Sequence, residues 1–160
     1  MSGEAKMLAG LGLVAMAWVG SSWAAAADAP KIFTVSLMKA AETPPCATAG
    51  ASAMGTATIT IAADGKSISV NLTYSGLSGP AKAAHIHSGT AAGPGPVVVP
   101  FTGALNSPYS HTFTAGDYIA ASGAPSDFAA FVTALRAGGA AYINVHTAAC
   151  GPGEIRAEIQ

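Results

Sequence analysis

Apolar and polar residues alternate strictly along several short segments of this chain, and this alternation is the feature that most constrains its fold. In residues 32–37 (IFTVSL), phenylalanine, valine and leucine alternate with threonine and serine. A period of two places one set of side chains on each face of a β-strand. Segments 56–62 and 68–74 repeat the pattern, and the Asp-Gly turn at 63–66 is typical of a β-hairpin between them.

The rest of the chain adds short strands and one helix. Strand patterns also cover residues 81–88, 97–101, 141–147 and 154–160, and Gly- and Pro-rich turns separate several of them. A candidate edge strand lies within 106–114. Residues 126–136 (SDFAAFVTALR) instead repeat apolar side chains at helical spacing and stop before a Gly-Gly pair. About seven or eight strands and one short helix predict an all-β fold, either an antiparallel Greek-key β-sandwich or a small Greek-key barrel.

The N-terminal segment has a different composition. Lys6 precedes an uncharged apolar run at 7–19, and small residues follow at 21–22 and 24–27. This order predicts a signal peptide over residues 1–27, since a spanning helix needs about 18 to 20 apolar residues. An uncleaved membrane anchor is the alternative. Residues 28–160 then form one domain, which we expect in the periplasm or outside the cell, with no membrane span after cleavage.

Charge and cysteine content limit the partners and the compartment. The formal net charge is −1, and the lysines and arginines are scattered singly, so the chain has no basic surface to bind nucleic acid. The two cysteines, Cys46 and Cys150, both lie in the predicted domain. An oxidising compartment favours one disulfide between them. Two free thiols, or thiolates that bind a metal, remain alternatives.

Three of the four histidines fall on predicted strands at positions that share a face. His85 and His87 are two residues apart, and Tyr142, Asn144 and His146 share a face in the same way. If the isoleucine and valine residues between them point into the core, the histidines face out of the sandwich. Imidazoles suit copper and zinc, and three of them leave an open coordination position for water or substrate. Alternatively, the histidines only form hydrogen bonds with loop carbonyls at the sheet surface.

The fourth histidine, His111, is a candidate fourth metal ligand in a segment without clear periodicity. Glu154 and Glu158 also share a face of the last predicted strand, and we expect them to be solvated charges. The sequence has no G-x-S-x-G motif and no glycine-rich loop that leads into a helix, so it carries no motif for metal-independent hydrolysis or phosphate binding.

Two blocks of sequence resemble the CHRD (chordin-type) domain, a family that includes many exported microbial proteins. The first is GPAKAAHIH at 79–87, followed by GPVV at 95–98; the second is AYINVHT at 141–147, followed by GEIR at 153–156. The resemblance covers roughly residues 31–160. It implies an exported β-sandwich domain and does not by itself imply a reaction.

A second resemblance is to the Cu/Zn superoxide dismutase family, which also combines a Greek-key β-sandwich with a His-x-His strand. It assigns roles by position: paired copper ligands His85 and His87, a late copper ligand His146, a disulfide between Cys46 and Cys150, and an arginine near the active site, Arg156. The chain has no further histidines for the zinc site of that family, so the resemblance does not extend to a two-metal centre.

Two hypotheses for function follow. In the first, the domain binds a copper ion through its histidines and has a redox or metal-handling role, with Tyr142, Asn144 and Arg156 beside the ligands. In the second, it is a non-enzymatic extracellular module that binds a protein or glycan, and its histidines are structural. The residues favour a non-enzymatic role over catalysis, because the site that dismutase activity needs is incomplete.

Overall fold

The computed structural model describes residues 28–90, 92–93 and 95–160. The predicted signal peptide, residues 1–27, lies outside this part of the chain. Within the described residues, no helix has the length and apolar character needed to cross a membrane.

Eight strands account for most of the regular structure of the described residues, which confirms the predicted all-β class. One α-helix and two short 3-10 turns, at Lys39–Ala41 and Ala115–Asp117, complete it. The elements are β1 (Lys31–Met38), β2 (Met54–Ile61), β3 (Ile68–Ser75), β4 (Ala81–Ser88), β5 (Val97–Pro100), β6 (Tyr109–Phe113), α1 (Phe128–Arg136), β7 (Ala141–Thr147) and β8 (Ile155–Glu158).

The strands form two antiparallel halves that share one core. The order across the sheet is β5-β4-β7-β8-β1-β2-β3-β6, and the halves meet where Met38 of β1 pairs with Arg156 of β8. The two ends of this order also approach each other, because the Phe101 ring lies 5.2 Å from Tyr109 and 5.0 Å from Phe113. The fold is therefore the expected antiparallel sandwich, with its halves joined into a nearly closed sheet.

The alternation in the sequence sets which side chains enter this core. On β1, Phe33, Val35 and Leu37 are buried, while the threonine and serine between them are exposed. The helix begins at Phe128, two residues later than the predicted segment, because Asp127 accepts a hydrogen bond from the Ala130 backbone N–H and caps it. Its apolar stripe closes one side of the core: Phe128, Phe131, Val132 and Leu135 are buried.

A disulfide joins Cys46 to Cys150, with an S–S distance of 2.01 Å and Cα atoms 5.7 Å apart. The free-thiol and thiolate-ligand alternatives are therefore excluded for this structure. The bond ties the β1–β2 loop to the β7–β8 turn across 104 residues of sequence. Cross-linking a loop of about 100 residues restricts the unfolded chain by about 4.7 kcal/mol in the chain-entropy estimate.

We predict that a Cys46→Ala, Cys150→Ala double variant loses about 2 to 5 kcal/mol of unfolding free energy, the usual effect of removing a disulfide from a small domain. Urea unfolding followed by circular dichroism measures the change. Wild-type protein treated with a thiol reductant is the matched control and should unfold at the same urea concentration as the variant. Equal unfolding free energies for oxidised wild type and variant would contradict the prediction.

Candidate metal centre

The pairing of β4 with β7 places three histidines together on one outer face. In this register His85 lies opposite Asn144, and His87 lies opposite Tyr142, with His146 two residues further along β7. The alternate residues of both strands point inward and are fully buried: Ile86, Ile143 and Val145. Burial of this apolar set fixes the parity of both strands, and so it holds all three imidazoles on the opposite face.

The three rings are close enough to share one ion. His85 Nδ1 and His146 Nε2 are 3.0 Å apart, and the His85 ring centroid lies 5.5 Å from that of His87. One nitrogen from each ring can be chosen so that all three nitrogens lie within 4.8 Å of one another. The structure therefore brings together the three histidines on which the sequence analysis centred.

His111 does not join this cluster. It lies on β6, opposite Val70 of β3, at the far end of the strand order from β5 and β4. Its ring centroid is 4.6 Å from that of Phe113, on the inward side of the sheet. His111 shares its strand face with the buried Tyr109 and Phe113, so it points inward, whereas the cluster lies on the outer face of the other half.

The prediction that these histidines are exposed at the surface needs correction. His87 is only 9% exposed, and His85 and His146 are half-buried. The β4–β5 loop and the β7–β8 turn fold over this face and contact the rings through Gly95 and Gly151. The site is therefore a covered cluster with lower polarity than an open sheet surface.

Burial keeps all three imidazoles neutral at neutral pH. Burial and, to a smaller extent, the electrostatic influence of His146 and His87 together lower the pKa of His85 to about 4. Burial also lowers the pKa of His87 and of His146, although hydrogen bonds to Gly95 and Gly151 partly oppose this. A neutral imidazole has a nitrogen lone pair, which is the form that binds a metal.

For His87 and His146, loop carbonyls determine which ring nitrogen carries that lone pair. His87 Nδ1 donates to the Gly95 carbonyl at 3.0 Å, and His146 Nδ1 donates to the Gly151 carbonyl at 2.8 Å. Each neutral ring has one N–H, so the lone pair of both rings lies on Nε2. His87 Nε2 is buried and has no hydrogen-bond partner among the described residues.

Only glycine fits at position 95. A Cβ atom on Gly95 would overlap the backbone carbonyl of Ser88, where the β4–β5 loop closes through a hydrogen bond from Ser88 N–H to the Pro96 carbonyl at 3.1 Å. The close approach of these two backbone segments places the Gly95 carbonyl within hydrogen-bond distance of His87. Gly95 thus supports the orientation of the His87 ring through its carbonyl.

His146 Nε2 is the point where several groups of the site converge. His85 Nδ1 and Asn144 Oδ1 each lie 3.0 Å from it. The His85 N–H can donate to the lone pair of His146. Rotation of the Asn144 amide by 180° exchanges its oxygen and nitrogen, which gives it an N–H to donate as well.

A stack of side chains supports the His87 ring from one side. The rings of His87 and Tyr142 are parallel within 10°, with centroids 4.4 Å apart. The Arg156 guanidinium lies 3.3 Å from the centroid of the Tyr142 ring, and its Nη2 donates to Glu158 Oε1 at 3.1 Å. Tyr142 and Arg156, which the sequence places near the histidines, thus lie in this stack beside His87. Arg156 is 2% exposed, so it is a buried member of this cluster.

Sequence reasoning missed Glu42, which lies beside the site. This carboxylate is 5% exposed and interacts with Arg156 and with the side chain of Asn144. Burial raises its pKa to about 7, although the charge of Arg156 and the Asn144 hydrogen bond act in the opposite direction. A Cβ atom on Gly153 would overlap the Glu42 carboxylate, so the glycine of the GEIR block makes room for it.

Glu154 corrects a second expectation, that of a solvated charge. It is fully buried, and its oxygens accept hydrogen bonds from the Gly50 N–H at 2.8 Å, the Ser78 N–H and hydroxyl at 2.6 Å, and the Thr147 hydroxyl at 2.5 Å. Burial alone would raise the pKa of Glu154, but these hydrogen bonds outweigh it and lower the pKa. Glu154 therefore ties three loops together next to the β7–β8 turn.

Comparisons with known proteins identify the family. A family model described as the CHRD domain matches residues 33–159 of the chain. No curated protein and no solved structure matches the chain. The match includes every residue of the histidine cluster, the supporting stack and both buried glutamates.

We predict that a Glu42→Gln variant becomes more stable relative to wild type as the pH rises from about 4.5 to about 7. The raised pKa of about 7 means that folded Glu42 keeps a proton that the unfolded chain loses near its ordinary pKa of 4.5. The wild type therefore bears a penalty of up to about 3 kcal/mol above pH 7, which disappears as the pH falls to about 4.5.

Urea unfolding of both proteins at several pH values between 4.5 and 8 measures this difference. The histidines titrate in both proteins, so their contributions cancel in the comparison. A free-energy difference that does not change with pH would show that Glu42 has an ordinary pKa in the folded protein.

Proposed function

The chain belongs to the CHRD-domain family, and from that membership and the histidine geometry we propose that it binds one transition-metal ion, with copper preferred, through His85, His87 and His146. The observation that carries this proposal is His87 Nε2. This nitrogen is buried without a hydrogen-bond partner among the described residues. An unsatisfied buried polar atom costs about 1 to 3 kcal/mol, and a metal bound to its lone pair would remove that cost.

The donor set fits a copper-type ion. All three ligands are neutral imidazoles, and two of them donate their other nitrogen to a backbone carbonyl, the usual arrangement around metal-binding histidines. Two nitrogens on one ion at about 2.0 to 2.1 Å lie at most about 4 Å apart. The 4.8 Å spread therefore has to shorten by about 1 Å, within reach of the half-buried His85 and His146 rings.

The preference for copper rests on two arguments. Divalent copper binds nitrogen ligands more tightly than the other first-row divalent ions do. The positional resemblance to the Cu/Zn superoxide dismutase family points the same way. When bound, copper would supply one-electron redox chemistry, while the protein's own residues bind the ion and exclude bulk water from one side. A role in redox chemistry or copper handling follows from the open coordination position.

The disulfide supports a place of action outside the cytoplasm. In the Cys46–Cys150 disulfide, Cys46 is half-buried, and Cys150 is buried in the β7–β8 turn that follows His146. Disulfides persist in oxidising compartments such as the periplasm and the outside of the cell. The signal peptide over residues 1–27 remains a prediction that agrees with this placement.

One observation favours the alternative, a non-enzymatic binding module with structural histidines. The His85 to His146 hydrogen bond at 3.0 Å satisfies two of the imidazoles without any ion. In that reading, the loops that cover the cluster present a surface to a protein or glycan, and the histidines only hold those loops in place.

We predict that the wild type binds one equivalent of Cu(II) and that a His87→Ala, His146→Ala double variant does not. Loss of two of three ligands removes both carbonyl-oriented imidazoles. Isothermal titration gives the stoichiometry, and EPR hyperfine splitting from nitrogen reports the ligands. His111→Ala is the matched control, because His111 lies outside the cluster and should leave binding unchanged. Equal Cu(II) binding by the wild type and the double variant would overturn the proposal.

We further predict that Cu(II) at about 100 times its Kd stabilises the wild type by about 2.7 kcal/mol, which raises Tm by roughly 10 °C. A ligand that binds only the native state must stabilise it by mass action. Differential scanning fluorimetry with and without the ion measures the shift. An unchanged Tm at saturating Cu(II) would favour the structural reading of the histidines.

A further inference from the structure

The methionines of the domain are brought together by the fold. Of the five methionines in the chain, only Met38 and Met54 lie in residues 28–160. They come from different strands, and the register of β1 with β2 places them directly opposite each other. Both face outward, with exposed fractions of 55% and 57%. Methionine side chains are usually buried, so two exposed methionines that face each other do not serve the apolar core.

The register gives this pair the dimensions of a two-coordinate site. Directly opposed residues in an antiparallel pair have Cβ atoms about 4.5 to 5.5 Å apart. Sulfur binds metals at about 2.3 Å, so two sulfurs on opposite sides of one ion are about 4.6 Å apart. The methionine side chain has three rotatable bonds and can aim its sulfur without moving the backbone. Met38 and Met54 can therefore reach a common ion while β1 and β2 stay paired.

The chemistry of the surroundings selects the kind of ion. The outward positions of β1, β2, β3 and β6 carry no charged side chain: residues 32, 34, 36 and 38 of β1, 54, 56, 58 and 60 of β2, 69, 71, 73 and 75 of β3, and 110 and 112 of β6. On the other side of β1, Arg156 of β8 lies opposite Met38, and its guanidinium contacts the Tyr142 ring and Glu158. Neither donor is anionic, and hard divalent cations prefer carboxylate oxygens. Thioethers are soft ligands that favour Cu(I) and ions like it.

The nearest charge in the sequence also favours a monovalent ion. Lys39 follows Met38 and donates from Nζ to the Ala51 carbonyl at 3.0 Å. It lines a cavity of about 410 Å³ together with Met38 and Met54. Repulsion from one ammonium is twice as large for a divalent ion as for a monovalent ion at the same distance. The cavity gives an ion access to both sulfurs from solvent.

We propose that Met38 and Met54 form a thioether site for a soft monovalent cation, Cu(I) or its analogue Ag(I). Both cysteine sulfurs are held in the disulfide, so the two thioethers are the sulfur donors open to a metal among the described residues. The site does not depend on the histidine cluster, because it shares no ligand with it.

The thioether site nevertheless lies on the same outer row of residues as the histidine cluster. His85 lies opposite Asn144, Asn144 opposite Arg156, and Arg156 opposite Met38. Three strand spacings of about 4.8 Å separate the Cα atoms of His85 and Met38, a distance of about 14 Å. The sheet thus holds nitrogen donors suited to Cu(II) and sulfur donors suited to Cu(I) on one face.

Ag(I) titration of full-length protein labelled with ¹³C at the methionine methyl groups tests this site. Single Met38→Leu and Met54→Leu variants assign the Met38 and Met54 signals among the five methionine signals and keep the volume of each side chain close to that of methionine. We expect the Met38 and Met54 signals to shift together and to stop shifting once one Ag(I) ion is bound at this site. Either substitution should lower the affinity by roughly tenfold or more, because one of two soft ligands is lost.

A His87→Ala, His146→Ala background separates the two sites, since the thioether signals should respond to Ag(I) there as they do in the wild type. If that background does not fold, titration of the wild type to three equivalents of Ag(I) gives the same readout. Signals that stay unmoved, or a shift of one methyl signal that persists when the other methionine is replaced by leucine, would overturn the proposal. Binding of Cu(II) by the histidines would be unaffected by that outcome.

Discussion

The antiparallel pairing of β4 with β7 is the constraint on which the candidate centre depends. Its register decides that His85 faces Asn144 and that His87 faces Tyr142. A slip of one residue would turn every side chain of a strand to the other face, which would bury the imidazoles and expose Ile86 and its apolar partners. The free energy of the apolar core therefore also stabilises the geometry of the outer face.

That outer face has an unusual energetic character, because several polar side chains are buried there beside the core. Arg156 is held by the Tyr142 ring and by Glu158, while Glu42 lies close to Arg156 and Asn144. Such groups are costly to remove from water unless they satisfy each other, and Glu42 Oε1, Arg156 Nε and His87 Nε2 have no hydrogen-bond partner within the part of the chain that the structure describes. Each such atom in a native structure calls for a physical explanation, and an ordered water or a bound ion at the cluster would supply one.

The sequence predicts the strands and the histidine face well, because both follow from a period of two that needs no tertiary information. It also predicts the helix, with an error of two residues that the Asp127 cap explains. It does not predict the carbonyls of Gly95 and Gly151 as partners of His87 and His146, since loop paths depend on contacts far apart in the chain. Glu42 follows a Gly- and Pro-free turn of three residues and carries no periodic signal, so its place beside Asn144 is visible only in the folded structure.

The position of the disulfide has a consequence for how the domain tolerates damage to its backbone. The bond encloses residues 47–149, which include the β4–β5 loop with its exposed residues 90, 92 and 93, while β1 and β8 lie outside the enclosed stretch. A single protease cut in that loop would leave His85 and His87 on one fragment and His146 on the other. The two fragments would stay covalently joined through Cys46 and Cys150, so a nicked molecule keeps all three imidazoles within one particle.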